Sequence, residues 1–186
     1  MEEWIKFYTP YFANEAEAQR FVECCENESG ATSAKLIMHQ TQRLISLSKD
    51  VAVLRQGQDG LQLLFLIICA ENVAKLAHKY NKRNRSQEYV VKFFAKFLSE
   101  VDKNCLIQGV VGFNNEHLSL ETIVDALYDV RCEVVHEGKS WGFSFSKNGS
   151  QMFSLPHFIV RIQLKELRDI IVRGSICAAN KSLIAA

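Results

Sequence analysis

The sequence has almost no net charge and few features that indicate a compartment or a cofactor. Its 22 basic and 21 acidic residues leave a net charge of +1, so no broad cationic surface predicts non-specific binding to nucleic acid or membrane. None of the six cysteines has the C-x-x-C spacing of zinc and redox sites. We therefore expect reduced core cysteines, no metal and no cofactor.

The sequence also lacks segments that direct a chain to or through a membrane. The longest apolar run, Leu61–Ala70, is too short to span a bilayer. The first twelve residues have no basic start followed by an apolar core, so they do not form a secretory signal. There is no internal repeat, no low-complexity segment and no shift in composition. We expect one cytoplasmic domain over residues 1–186, with no membrane partner.

Helical periodicity runs through most of the chain and predicts an all-α protein. We expect four to five main helices in an antiparallel bundle. The helical segments read from the pattern begin at Asn14, Ser33, about residue 60, Ser86, Ser119 and about residue 158.

Two segments depart from this periodicity. Residues 1–13 are rich in aromatic side chains and contain Pro10, which interrupts a regular helix, so we expect an extended arm whose rings pack on the bundle. In residues 140–156 apolar and polar residues alternate, and Asn148-Gly149 is a turn signal. This predicts a β-hairpin inserted before the last helix.

The segment from Leu118 to Gly138 carries the most informative pattern. Ser119 is suited to cap a helix and Gly138 to end it. The apolar face between them comprises Leu120, Ile123, Val124, Leu127, Val134 and Val135. Arg131 occupies an apolar position of that face, and His136 follows in the last turn.

A guanidinium on an apolar face requires an explanation, because burying its charge without a partner costs several kcal/mol. Arg131 either extends to solvent, or forms a structural ion pair, or lines a cleft with His136 that holds an anionic ligand. Arginine suits phosphate, and histidine exchanges protons near neutral pH. The two side chains lie about 140° apart around an ideal α-helix, a gap that the reach of arginine together with a loosened final turn could close.

Two further charged features accompany this helix. Glu71 is the odd charge in the most apolar segment, residues 60–80, and Arg131 is its expected partner. Residues 81–85 form a basic turn, either a solvated loop or a contact for RNA phosphates through Lys82, Arg83 and Arg85.

The segment ALYDVRCEVVHEG resembles the Arg-x4-His signature of HEPN domains, in particular a bacterial branch whose signature helix ends in His and Gly. In that family the signature lies near the end of a late helix in a bundle of four or five helices. The resemblance covers about twenty residues together with the order of the elements.

The resemblance implies a metal-independent endoribonuclease of the toxin or phage-defence type. Two signature helices then meet in a homodimer and form one composite site, and an antitoxin or companion protein is a further expected partner. Arg131 would hold the scissile phosphate and His136 would act as general acid or base. Glu71, Tyr128 and Cys132 would support them.

One position departs from the family pattern. Active members commonly have Asn, Asp or His after the arginine, whereas this chain has Cys132, a poor hydrogen-bond donor. The alternative is therefore a non-catalytic, dimeric binding or assembly module in which Arg131 forms a structural ion pair. A cysteine enzyme using Cys132 and His136 is a third reading, although no orienting group is evident.

Overall fold

The computed structural model describes residues 1–27, 32–54, 58–78, 85–138, 143–145, 152–153 and 158–185. Within these ranges the α-helices are α1 (Glu2–Tyr8), α2 (Glu15–Asn27), α3 (Thr32–Leu54), α4 (Asp59–Ala77), α5 (Ser86–Phe97), α6 (Glu100–Gly109), α7 (Leu120–Cys132) and α8 (Leu164–Ile184). The strands are β1 (Val110–Gly112), β2 (Met152–Phe153) and β3 (Phe158–Val160). The protein is mostly helical, as the periodicity predicts, and six of these helices have twelve residues or more.

Helix α4 lies at the centre of the fold. It is apolar on nearly all sides and packs against α3, α5, α7 and α8. Leu63, Leu66 and Ile67 are fully buried, and each such side chain contributes about 1.5–3 kcal/mol through the hydrophobic effect. By length and composition α4 is also able to cross a membrane, but more than half of it is buried inside the protein, as in the core helix of a soluble protein.

The N-terminal segment is helical, so the predicted extended arm is wrong. Helix α1 precedes Pro10, which lies in a 3₁₀ turn at Thr9–Tyr11, where the missing N–H of proline is tolerated. The Tyr8 hydroxyl is buried and donates a hydrogen bond to the Met38 carbonyl oxygen at 2.8 Å. The other aromatic rings of the segment pack against the core, which confirms the expected contact with the bundle.

The strands form a small antiparallel sheet in the order β1-β3-β2. Strand β2 lies within the predicted hairpin, but its partner β3 lies beyond residue 156 and α8 begins only at Leu164, so the expected bounds were wrong. The pairing of β3 with β1 joins residues about fifty positions apart, which no local pattern shows. Residues 143–145 are not in a strand, and Asn148-Gly149 lies outside the described residues.

Gly174 allows α8 to approach α5 closely, which yields a first prediction. A Cβ atom at this position would lie 2.8 Å from Phe93 Cζ and 3.0 Å from Leu98 Cδ1. Alanine gains about 1 kcal/mol in helix propensity over glycine, but overpacking costs about 1–3 kcal/mol. Because Phe93 is fully buried, we expect Gly174→Ala to lower the free energy of unfolding by about 1 kcal/mol in urea titrations.

The control for this prediction is Phe93→Leu, which removes the contacted ring carbon. Combined with Phe93→Leu, Gly174→Ala should cost less than it does alone, because the added methyl group then has space. A gain in stability from Gly174→Ala alone would contradict the close approach of α5 and α8.

Candidate functional site

Arg131 lies in the last turn of α7, the helix that begins as its sequence predicts. The Ser119 hydroxyl caps α7 by accepting a hydrogen bond from the Thr122 amide at 3.1 Å. The buried face of α7 packs on α4 and α5. This places Arg131 Nη2 3.9 Å from Glu71 Oε2 on α4, so the expected ion pair is present. At 3.9 Å the two groups attract each other but do not form a hydrogen bond.

The Glu71 carboxylate contacts Lys75 as well as Arg131. Its side chain is almost fully buried, and its other oxygen, Oε1, accepts a hydrogen bond from Lys75 one turn further along α4. Lys75 Nζ lies 5.6 Å from the centroid of the Tyr89 ring, and Arg131 Cζ lies 5.4 Å from that of Tyr128, both within range of a cation–π interaction. We call these five residues the Glu71 cluster. Its two cations and one carboxylate leave one positive charge uncompensated.

The guanidinium of Arg131 keeps unused hydrogen-bonding capacity. Its side chain is 19% exposed, so it does not extend freely into solvent. Its Nε is buried and has no hydrogen-bond partner among the described residues. A buried donor without a partner costs about 1–3 kcal/mol. The Arg131 guanidinium therefore keeps a donor that the described residues do not satisfy.

His136 lies in a π-turn, Glu133–Glu137, that continues α7. Such turns have i→i+5 hydrogen bonds and are frequent at functional sites. The π-turn loosens the last turn after Arg131, and a wider turn lowers the angle between residues five apart. Gly138 closes it in the left-handed conformation, with φ = 66°.

The π-turn also changes which side chains face outward. Val135, expected on the buried face, is 48% exposed, and His136 beside it is exposed as well. No hydrogen bond joins His136 to Arg131 in the part of the chain that the structure describes. The helix end therefore presents an imidazole between the exposed side chains of Val135 and Glu137, while the guanidinium lies deeper, against α4.

The supporting residues Tyr128 and Cys132 are partly buried neighbours one turn apart on α7. Burial raises the pKa of Tyr128 above 10, and the nearby Cys132 raises it further, so Tyr128 keeps its proton at neutral pH. Burial also raises the pKa of Cys69 to about 12 and that of Cys105 to about 11. Neither of these two thiols is a ready nucleophile.

The basic turn is described only at its end. Lys82 and Arg83 lie outside the described residues. Arg85 is exposed, and its Nη1 is 3.2 Å from Glu88 Oε2, an ion pair within one helix turn that contributes little stability. Arg85 itself lies one turn before Tyr89, a member of the Glu71 cluster.

Sequence reasoning missed two members of the cluster, Lys75 and Tyr89. Lys75 follows Glu71 by four residues, a spacing that brings opposite charges together on a helix, so this signal was available. Tyr89 comes from a different helix, and only the packing of α5 on α4 shows it. Among the described residues there is no group of three or more His, Cys, Asp or Glu side chains able to hold a metal ion.

No family model matches the chain, and no match was found among curated proteins or solved structures. The resemblance of α7 and its π-turn to the HEPN signature accordingly remains a prediction from the sequence.

Proposed function

We propose that the protein is a metal-independent, cytoplasmic endoribonuclease of the HEPN type, acting in a toxin–antitoxin or phage-defence setting. The proposal rests mainly on the surroundings of the Arg131 guanidinium. This guanidinium is largely withdrawn from water, shares the Glu71 carboxylate with Lys75, and has no hydrogen-bond partner for its Nε among the described residues. Such a group is suited to a phosphate oxygen.

In this mechanism Arg131 donates hydrogen bonds to the non-bridging oxygens of the scissile phosphate and stabilises the charge that develops on them. His136 removes the proton from the ribose 2′-hydroxyl, and O2′ attacks phosphorus. The bond from phosphorus to O5′ breaks, and a second histidine protonates the leaving oxygen. The products are a 2′,3′-cyclic phosphate and a 5′-hydroxyl.

The second histidine is the reason for proposing a homodimer. One chain contributes one His136, at an exposed helix end beside the exposed Val135. Two copies packed through this end would bring two imidazoles and two arginines into one composite site. An antitoxin or companion protein would then act by covering or separating that site.

A second candidate function is a non-catalytic dimeric binding or assembly module. The contact between Arg131 and Glu71 favours it, since neutralising a buried carboxylate is sufficient reason for an arginine at this position. The thiol of Cys132 also favours it, because it is a weak donor next to the arginine.

The two functions are separated by incubating the purified protein with single-stranded RNA in EDTA. A ribonuclease of this type should cleave RNA and leave 2′,3′-cyclic phosphate ends, detected by mass spectrometry. The same oligonucleotide with 2′-deoxyribose throughout should remain intact, because it lacks the attacking oxygen. A dimer in sedimentation experiments that leaves RNA uncut would support the binding module.

A further inference from the structure

A groove at the far end of α5 is not used by the mechanism above. It lies where α5, α6 and α8 meet and has a volume of about 550 Å³. Its lining includes Lys96, Phe97, Val101, Asp102, Arg173 and Lys181. We call it the α5–α8 groove.

The α5–α8 groove carries an excess of positive charge. Asp102 is buried, and its carboxylate accepts two hydrogen bonds. Arg173 Nε donates to Oδ1 at 3.1 Å, and the Ser99 hydroxyl donates to Oδ2 at 2.9 Å. Lys96 and Lys181 have no carboxylate partner within the described ranges, and Lys181 Nζ donates instead to the Lys96 carbonyl oxygen at 2.9 Å. Three cations against one carboxylate leave the lining at +2, in a chain whose total is +1.

His78, at the end of α4, reports the same local excess. Its ring lies 5.8 Å from that of Phe97, and its Nε2 is buried without a hydrogen-bond partner among the described residues. Burial lowers the pKa of His78 below 6.5, and the charges of Lys96 and Lys92 lower it further. Burial and the two lysines thus both disfavour a proton on His78.

The cations of the α5–α8 groove are continuous with those of the Glu71 cluster. Lys92 lies one turn before Lys96 on α5, and its Nζ is 5.5 Å from the Tyr89 ring centroid, against which Lys75 also lies. A row of cations therefore follows α5 from one site to the other. Cations arranged in a row suit an extended polyanion. A compact anion would instead be bound by cations that converge on one point.

A cavity on the other side of Lys92 is acidic and limits the path. It lies between α5 and α7, and Lys92 lines it together with Glu88, Glu121 and Asp125. These carboxylates repel phosphates, so an RNA strand would pass over Tyr89 and Lys96 instead.

We propose that the α5–α8 groove binds the sugar–phosphate backbone of single-stranded RNA, at phosphates next to the one held by Arg131. This inference rests on the proposed ribonuclease activity and identifies where its substrate strand lies. Lys96 and Lys181 contact the phosphates, and Arg173 is oriented by Asp102. The Lys181 Nζ lies 5.3 Å from the centroid of the Phe97 ring, within range of a cation–π interaction that positions it.

The test measures binding separately from cleavage. A fluorescein-labelled 2′-O-methyl RNA, which has no free 2′-hydroxyl to attack, is titrated by anisotropy against the 186-residue protein and two double variants. Lys96→Glu/Lys181→Glu reverses the charge of the groove, whereas Lys6→Glu/Arg43→Glu makes the same change in net charge at exposed positions on α1 and α3. Thermal unfolding checks that both variants are folded.

We expect the groove variant to bind at least about tenfold more weakly, and the control variant to bind within about twofold of the parent protein. With Lys96→Ala/Lys181→Ala, the slope of log affinity against log salt should fall by about 1.4, as expected for two lost phosphate contacts. Equal losses in the groove and control variants would overturn the proposal. Tighter binding of polyglutamate than of RNA would overturn it in favour of an acidic protein partner.

The outcomes also distinguish this inference from the ribonuclease proposal. If the groove variant alone loses RNA binding while the parent protein cleaves no RNA, the α5–α8 groove is supported as an RNA-binding site and the ribonuclease activity is rejected. If the parent protein cleaves RNA and the groove variant binds RNA as tightly as the parent, the ribonuclease activity is supported and the RNA-binding role of the α5–α8 groove is rejected.

Discussion

His136→Ala is expected to reduce the rate of RNA cleavage by about 10²–10⁴-fold, the contribution of a general acid or base. Its melting temperature should stay unchanged, because the His136 side chain is exposed and makes no hydrogen bond among the described residues. Single-turnover cleavage in EDTA gives the first quantity and thermal unfolding the second. His117→Ala, at another exposed histidine, is the matched control and should cleave at the parent rate.

Arg131→Lys complements this experiment, because it keeps the charge and removes the planar fork of donors. We expect it to lose about 10²–10³-fold in rate while retaining most of the stability that comes from the charge opposite Glu71. Cleavage that survives in both the His136 and the Arg131 variants would place the activity elsewhere and leave the α7 end as a structural feature.

The course of α7 was predictable because local chemistry determines it. The Ser119 hydroxyl caps the first turn, and Gly138 adopts the left-handed conformation that ends the helix, as both residue types predict. The contact between Glu71 and Arg131 was also predictable. A charge on an apolar helix face needs a counter-charge, and Arg131 is within reach of Glu71, although Lys75 on the same helix as Glu71 is a second partner.

Features that depend on distant parts of the chain were not predictable in this way. Strand β1 is three residues long and pairs along its length with β3, which lies about fifty residues further along the chain. Helix α1 forms despite the nearby Pro10, because Tyr8 packs into the core and hydrogen-bonds to α3. The π-turn has no signature in the apolar pattern, which instead predicts a buried Val135.

Glu71→Gln is expected to lower the free energy of unfolding by about 2–3 kcal/mol. The Glu71 carboxylate lies between Lys75 and Arg131, and a neutral amide would leave these two cations close together without a counter-charge. Breaking a fully buried ion pair costs about 3–5 kcal/mol. The cost here is smaller, because Lys75 is 36% and Arg131 19% exposed and water screens part of the repulsion. Urea denaturation at neutral pH measures the change.

The matched variant is Glu71→Leu/Arg131→Met, which removes both charges and keeps the volume apolar. Replacing a buried ion pair by apolar side chains is often neutral or stabilising, so this protein should be more stable than Glu71→Gln. It should also lose RNA cleavage, since the phosphate ligand is gone. A stable double variant that still cleaves RNA would show that Arg131 serves only to neutralise Glu71. If Glu71→Gln alone leaves the stability unchanged, the carboxylate does not hold the two cations, and Arg131 must be balanced by another group.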